Sequence, residues 1–203
     1  MDELDPNVIK TTILNFGFEA MLHGTKTIRK MRTVHNCNIP WLILMDPTSA
    51  CNLHCTGCWA AEYGNKLNLS YDELSNVVKQ GKELGVYFYM FTGGEPLVRK
   101  NDIIKLCGEH HECQFLAFTN GTLVDEAFCK EMKRVGNLAL AISLEGSPEV
   151  NDLRVFLCII QQELMKHLQN RRNQKELTEN RRILSEQDLQ DFPLHFIWLE
   201  TDR

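Results

Sequence analysis

From residue 41 to 146 the chain alternates between short, continuous apolar runs and longer stretches whose apolar positions fall on one helical face. Trp41-Leu42-Ile43-Leu44-Met45, preceded by Pro40, is apolar throughout, as a strand buried on both faces of a parallel sheet would be. Val86 to Phe91, Gln114 to Phe118 and Leu138 to Ile142 predict three further strands. The intervals read as helices. Ser70 and Glu73 form a capping-box pattern, Leu74, Val77, Val78 and Gly81 follow at one-face spacing, and Gly85 stands where a C-cap is wanted. Asn101, Ile103, Ile104 and Leu106 signal a second helix, and a third runs from near Asp125 through Phe128, Met132 and Val135 to a stop at Gly136. Strand starts near 41, 86, 114 and 137 have the rhythm of βαβ units with parallel strands and right-handed crossovers.

The flanks differ. Ile9, Ile13, Phe16 and Ala20 recur at helical spacing and predict an amphipathic N-terminal helix outside the main fold. Residues 157–190 are rich in Gln, Glu, Leu, Lys and Arg, which predicts helix, with one late strand signal at Leu194 to Leu199. The expected organisation is an N-terminal helical segment over 1–37, an α/β core of four βα units over 38–154, and a divergent helical tail with a final strand over 155–203.

Composition narrows the class. With 203 residues, 43% hydrophobic, 24% charged and a formal charge of -5, the chain can bury a sizeable core. Its mild acidity argues against nonspecific nucleic-acid binding, and the basic group Lys26, Arg29, Lys30 and Arg32 reads as a solvated helix face. No apolar run approaches the roughly 18 residues of a membrane span. Asp2, Glu3 and Asp5 do not fit the basic-then-apolar order of a signal peptide. Eight cysteines without such a signal predict a reducing, cytoplasmic setting.

Three of those cysteines carry the chemistry. Cys51, Cys55 and Cys58 lie in the run CNLHCTGC, directly after the first predicted strand, with no fourth cysteine close behind. Iron in a cubane [4Fe-4S] cluster is normally held by four thiolates, so a group of three suggests a cluster with one iron open to a small molecule. A structural zinc site is the alternative, with His54 or Cys37 as fourth ligand. Buried, unliganded thiols do not fit this run, set as they are among Asn, His, Thr and Gly. Cys107, Cys113, Cys129 and Cys158 are too scattered for a second cluster and read as core or surface thiols.

About one βα unit after the cysteines comes Thr92-Gly93-Gly94-Glu95-Pro96. The cysteine spacing followed by this run resembles the radical S-adenosylmethionine (radical SAM) family. The resemblance implies a partial (β/α) barrel of parallel strands, with ligands where the loops converge at the strands' C-terminal ends. It implies a [4Fe-4S] cluster on Cys51, Cys55 and Cys58, with the amino and carboxylate groups of SAM on the open iron. Gly93 and Gly94 would let backbone approach the methionine end of SAM. Glu95 would accept from its ammonium, although this carboxylate could instead cap the next helix or pair with Arg99. Ser143 and Glu145, in Ser-Leu-Glu-Gly after the fourth strand, resemble positions that reach ribose and methionine; Asn120, in Thr-Asn-Gly after the third, would line the same cavity. For these three a structural turn role stands beside cofactor contact. The implied chemistry is reductive cleavage of SAM to methionine and a 5′-deoxyadenosyl radical that takes hydrogen from a substrate, with an electron donor such as flavodoxin or ferredoxin as partner.

Two departures from the family pattern stand out. The residue before the third cysteine is often aromatic in these enzymes; here it is Gly57, with Trp59 following to cover the cluster or pack in the core. The resemblance extends through Glu149 to Arg154, after which the chain reads Val155-Phe156-Leu157-Cys158. A truncated or frame-disrupted product is therefore expected, with self-association through an open sheet edge and, as a further alternative, an inert iron-sulfur-binding fragment.

Overall fold

The computed structural model describes residues 5–55, 57, 58, 60, 64 and 66–144. Glu145, Trp59, the 149–154 segment, Cys158 and the expected tail with its Leu194 to Leu199 strand lie outside the described residues. Four strands, β1 (Leu42–Met45), β2 (Phe88–Phe91), β3 (Gln114–Thr119) and β4 (Leu138–Ile142), form one sheet in the order β1-β2-β3-β4. All three pairings are parallel, with Met45 opposite Phe91, Phe91 opposite Ala117 and Ala117 opposite Leu140. The α/β class and the parallel βαβ order expected from the apolar runs are those observed, in the strand sequence that the family resemblance implies.

The crossover helices start and stop where their sequence signals stand. In α3 (Tyr71–Leu84) the Ser70 hydroxyl accepts from the Glu73 amide while the Glu73 carboxylate accepts from the Ser70 amide, satisfying two amides that a helix start leaves open. Gly85 closes α3 at φ 95, and the Val86 amide donates back to Gly81. That closure uses Val86 as part of the helix end, so β2 begins at Phe88, two residues later than the apolar run predicts. A 3-10 turn (Pro96–Arg99) leads into α4 (Lys100–Glu109), and Asp125 caps α5 (Glu126–Val135) by accepting from the Phe128 amide at 2.7 Å.

Strand alternation sorts the side chains into two layers. Tyr89, Phe91, Phe115, Ala117, Leu138 and Leu140 point to the face covered by α3, α4 and α5, where they meet Leu74, Val78, Ile103, Leu106, Phe128 and Met132 in the main core. Phe91 and Phe115 stack with their rings 5.7 Å apart. Phe88, Leu116 and Ala141 point to the opposite face.

The N-terminal region occupies that second face rather than lying outside the fold. Helix α1 (Pro6–Thr12) passes into a π-helical segment (Ile13–Gly24) and then α2 (Thr25–His35). Ala20 is buried against Phe88, Leu116 and Ala141, with Phe16 edge-on to Trp41 and Phe88. Asn15 donates to the carbonyls of His111 and Cys113, just before β3, and the Trp41 indole donates to the Ala20 carbonyl. The i→i+5 winding moves the buried stripe to Asn15, Ala20 and Gly24. Ile13, which 3.6-residue spacing puts on that stripe, is 63% exposed instead.

Candidate functional site

The C-terminal ends of the four parallel strands lie along one edge of the sheet, and the segment leaving β1 is the most heavily braced of them. On one side, parallel pairing continues past the strand ends: the amides of Thr92, Gly94 and Glu95 donate to the carbonyls of Met45, Thr48 and Ala50 at 3.0, 3.0 and 2.8 Å. On the other, Ser49 exchanges a bond with Leu67 and the Thr48 hydroxyl donates to the Asn68 side chain at 2.5 Å. The Arg99 guanidinium donates to the Pro47 and Leu69 carbonyls while paired with Asp102 at 2.6 Å. Residues 46–50 are thus held on two flanks, and Cys51 follows directly.

Cys51, Cys55 and Cys58 are all half-buried. The Cys58 amide donates to the Cys55 carbonyl at 3.2 Å, closing a turn around Gly57, whose φ is 74. Third position in such a turn with positive φ is where glycine carries no steric cost. Gly57 in place of an aromatic residue therefore matches this backbone. Burial raises the Cys51 pKa, the charges of Glu95 and Cys58 push the same way, and the Leu53 amide opposes them. Cys51 is accordingly a thiol in the metal-free chain, and binding of iron would displace its proton.

The glycines of Thr92-Gly93-Gly94-Glu95 are needed here by the chain itself. A Cβ on Gly94 would sit 2.2 Å from the Ala50 carbonyl oxygen and 2.6 Å from that of Ser49; one on Gly93, at φ 105, would sit 2.7 Å from the Thr48 oxygen. The close approach expected of a ligand is made by the segment that carries Cys51.

Glu95 is 1% exposed. Its carboxylate accepts from the Leu97 amide at 2.9 Å, the Thr119 hydroxyl at 2.7 Å and the Asn120 amide at 2.8 Å. Burial raises its pKa against the pull of those three donors. Of the roles open to it, the structure realises the helix cap, since Leu97 lies in the 3-10 turn, and adds a tie between the ends of β2 and β3. Arg99 pairs with Asp102 instead.

Asn120 is half-buried and bonded twice over. Its main chain donates to Glu95, and its side-chain amide donates to the Asn52 side chain at 3.0 Å. Ser143 is exposed; its amide donates to the Thr119 carbonyl and so continues the β3–β4 pairing. The structure therefore joins Glu95 and Asn120 directly, with Ser143 linked through Thr119, and ties Cys51 to them through its neighbours Ala50 and Asn52. Thr48, Asn52, Thr119 and Thr122 belong to the same scaffold and carried no role in the sequence reading. Their signal was local: Asn and Thr beside glycine and at strand ends bond to neighbouring backbone.

The donor set fits an iron-sulfur cluster on thiol chemistry, with three soft sulfur ligands on one loop. Among the described residues no three His, Cys, Asp or Glu side chains stand close enough together to hold a single metal ion. A cubane needs one thiolate per iron, whereas zinc needs its ligands around one centre. No helix among the described residues is long and apolar enough to cross a membrane.

The family model of the radical SAM superfamily matches residues 45–181, continuing past Arg154. Fe-coproporphyrin III synthase of Methanosarcina barkeri is 29% identical over 168 residues, 80% of this chain and 41% of that protein. GTP 3',8-cyclase of Clostridium botulinum is 35% identical over 109 residues, 50% of this chain and 34% of that one. The chain thus spans about two fifths of the length of the first of these relatives and about a third of the second. Streptococcus suis SuiB bound to precursor peptide SuiA superposes with a TM-score of 0.57 at 20% identity, over 72% of this chain and 34% of that chain, a likeness of fold.

Proposed function

Because the chain belongs to the radical SAM superfamily, we propose that Cys51, Cys55 and Cys58 hold three irons of a [4Fe-4S] cluster whose fourth iron takes SAM. The observation that carries this reading is the delivery of three half-buried cysteines on one loop braced against the Gly-Gly-Glu segment. When bound, the cluster and SAM supply one-electron cleavage of the sulfonium, the hard chemistry that cofactors bring to such sites. A flavodoxin- or ferredoxin-like protein would supply the electron.

The protein's own part is positional. With the amides of Gly94 and Glu95 turned into the cysteine segment, the carbonyls of Gly93 and Gly94 are the groups that meet the ammonium of SAM. Glu95 organises them from below and contributes its charge at short range. Asn120 and Ser143 extend the site toward the nucleoside end, and Glu145, outside the described residues, is assigned the same role on the family resemblance alone. Leu44, 55% exposed, lies on the sheet face opposite α3–α5 with Met90 and Phe118, and these three give the site an apolar floor.

Anaerobic reconstitution with iron and sulfide tests the ligand set. Close to four irons per chain are expected. Cys55→Ala should lose the cluster, whereas Cys107→Ala, in the fully buried core, should keep it and lose on the order of 1 kcal/mol of stability. Stoichiometric zinc without iron uptake would favour the single-ion reading.

A further inference from the structure

The side chains of Asn52, Asn120 and Thr122 close a ring between the cysteine loop and the end of β3. Asn120 Nδ2 donates to Asn52 Oδ1 at 3.0 Å, Asn52 Nδ2 donates to Thr122 Oγ1 at 2.7 Å, and Thr122 Oγ1 donates to Asn120 Oδ1 at 2.6 Å. The Thr122 amide adds a bond to Asn120 Oδ1 at 2.9 Å. That amide sets the sense of the ring. It can only donate, so Asn120 must present its oxygen there and turn its NH2 group to Asn52, whose own NH2 then faces the threonine hydroxyl. Each bond runs in one direction round the ring, the arrangement in which neighbouring hydrogen bonds strengthen one another.

The ring's position gives it a consequence. Asn52 follows Cys51 directly and precedes Cys55 by three residues. Asn120 is simultaneously held by Glu95 through its main-chain amide. A cysteine loop on its own would have to be ordered by the metal. Here its first turn is referenced to the same two strand ends that carry the Gly-Gly-Glu and Thr-Asn-Gly segments.

We infer that Asn52, Asn120 and Thr122 form a latch that presets the placement of Cys51 and Cys55 and so retains a bound cluster. These are positioning residues, acting through the cysteines, and the inference rests on the cluster reading above. Asn52 is exposed and Thr122 half-buried, so water competes for each bond. The effect on cluster loss is therefore about three- to ten-fold, the equivalent of one net hydrogen bond.

The test compares wild type, Asn52→Ala, Thr122→Val and Thr122→Ser, all reconstituted anaerobically with iron and sulfide and then challenged with a ferrous chelator. Iron release should be about three- to ten-fold faster in Asn52→Ala and Thr122→Val. Thr122→Ser, which keeps the hydroxyl, should release iron at the wild-type rate. Melting of the metal-free chains should agree across all four to within about 5 °C, the shift that one net hydrogen bond can produce. Equal release rates from wild type and the two disrupting variants would overturn the latch while leaving the cluster reading intact. So would a large loss of metal-free melting temperature in those variants, because the ring would then hold the fold at large. A wild-type chain that takes up no iron would overturn the cluster reading, and the latch with it.

Discussion

At Gly94 the added methyl of an alanine would already press on two carbonyl oxygens of the segment that carries Cys51. Nothing flexible stands there to yield, so Gly94→Val is expected to displace Ala50 and Cys51 together and cost about 1–3 kcal/mol. Iron content and SAM affinity should fall in the same variant. Iron analysis and SAM titration on one preparation check this, and normal iron with weakened SAM binding would mean that the glycine faces the ligand alone. The sequence identified Gly93, Gly94 and Glu95 as a unit through their place after a strand and their match to a family pattern. Which atoms need the missing side chains was not legible, because that depends on the strand-to-strand spacing of β1 and β2 beyond their ends. Glu95 teaches the same lesson. Its type and position were readable, but its burial under three donors depends on Thr119 and Asn120, which are distant in sequence.

At the scale of elements, α3 and α4 are joined by a polar contact that stands apart from the site. Glu109 accepts from the Tyr71 hydroxyl, from Ser75 at 3.1 Å and from Lys79 at 3.0 Å. The Tyr71 bond first, with Lys79 behind it, holds the Glu109 pKa down to about 2. A carboxylate depressed in the folded state contributes stability that is fully present above its unfolded pKa of about 4.3 and is lost as pH falls toward 2. With 36% of the Glu109 side chain open to solvent, screening limits this to about 1 kcal/mol. Urea unfolding midpoints measured between pH 7 and pH 2 should show that loss in wild type, and Glu109→Gln should remove this part of the acid slope. An unchanged slope in the variant would assign the acid sensitivity elsewhere. Helices α3, α4 and α5 were legible because cap residues and apolar periodicity agree with each other. The N-terminal region was legible only as helix. Its π winding turns Ile13, Leu14, Phe18, Met21 and Leu22 outward, each at least 48% exposed, and a 3.6-residue period cannot anticipate that.

Across the whole molecule, four strands in sequential parallel order bring the ends of β1, β2, β3 and β4 to one edge, and every residue proposed for the site within the described region lies there. This much followed from the rhythm of apolar runs, since parallel βαβ units leave few arrangements. The N-terminal helix on the free sheet face did not follow from it, because the contact is made through Asn15, Ala20 and Trp41, residues whose types announce no partner. By the proposal above, the strand-end edge holds a cluster with one iron free for SAM. The direct measurement is the electron paramagnetic resonance spectrum of the dithionite-reduced, reconstituted chain, recorded with and without SAM. A [4Fe-4S] signal whose g-values shift on adding SAM, and do not shift with S-adenosylhomocysteine lacking the sulfonium charge to the same extent, is the predicted result. A reduced cluster signal that saturating SAM leaves unchanged would mean that no iron is open to SAM.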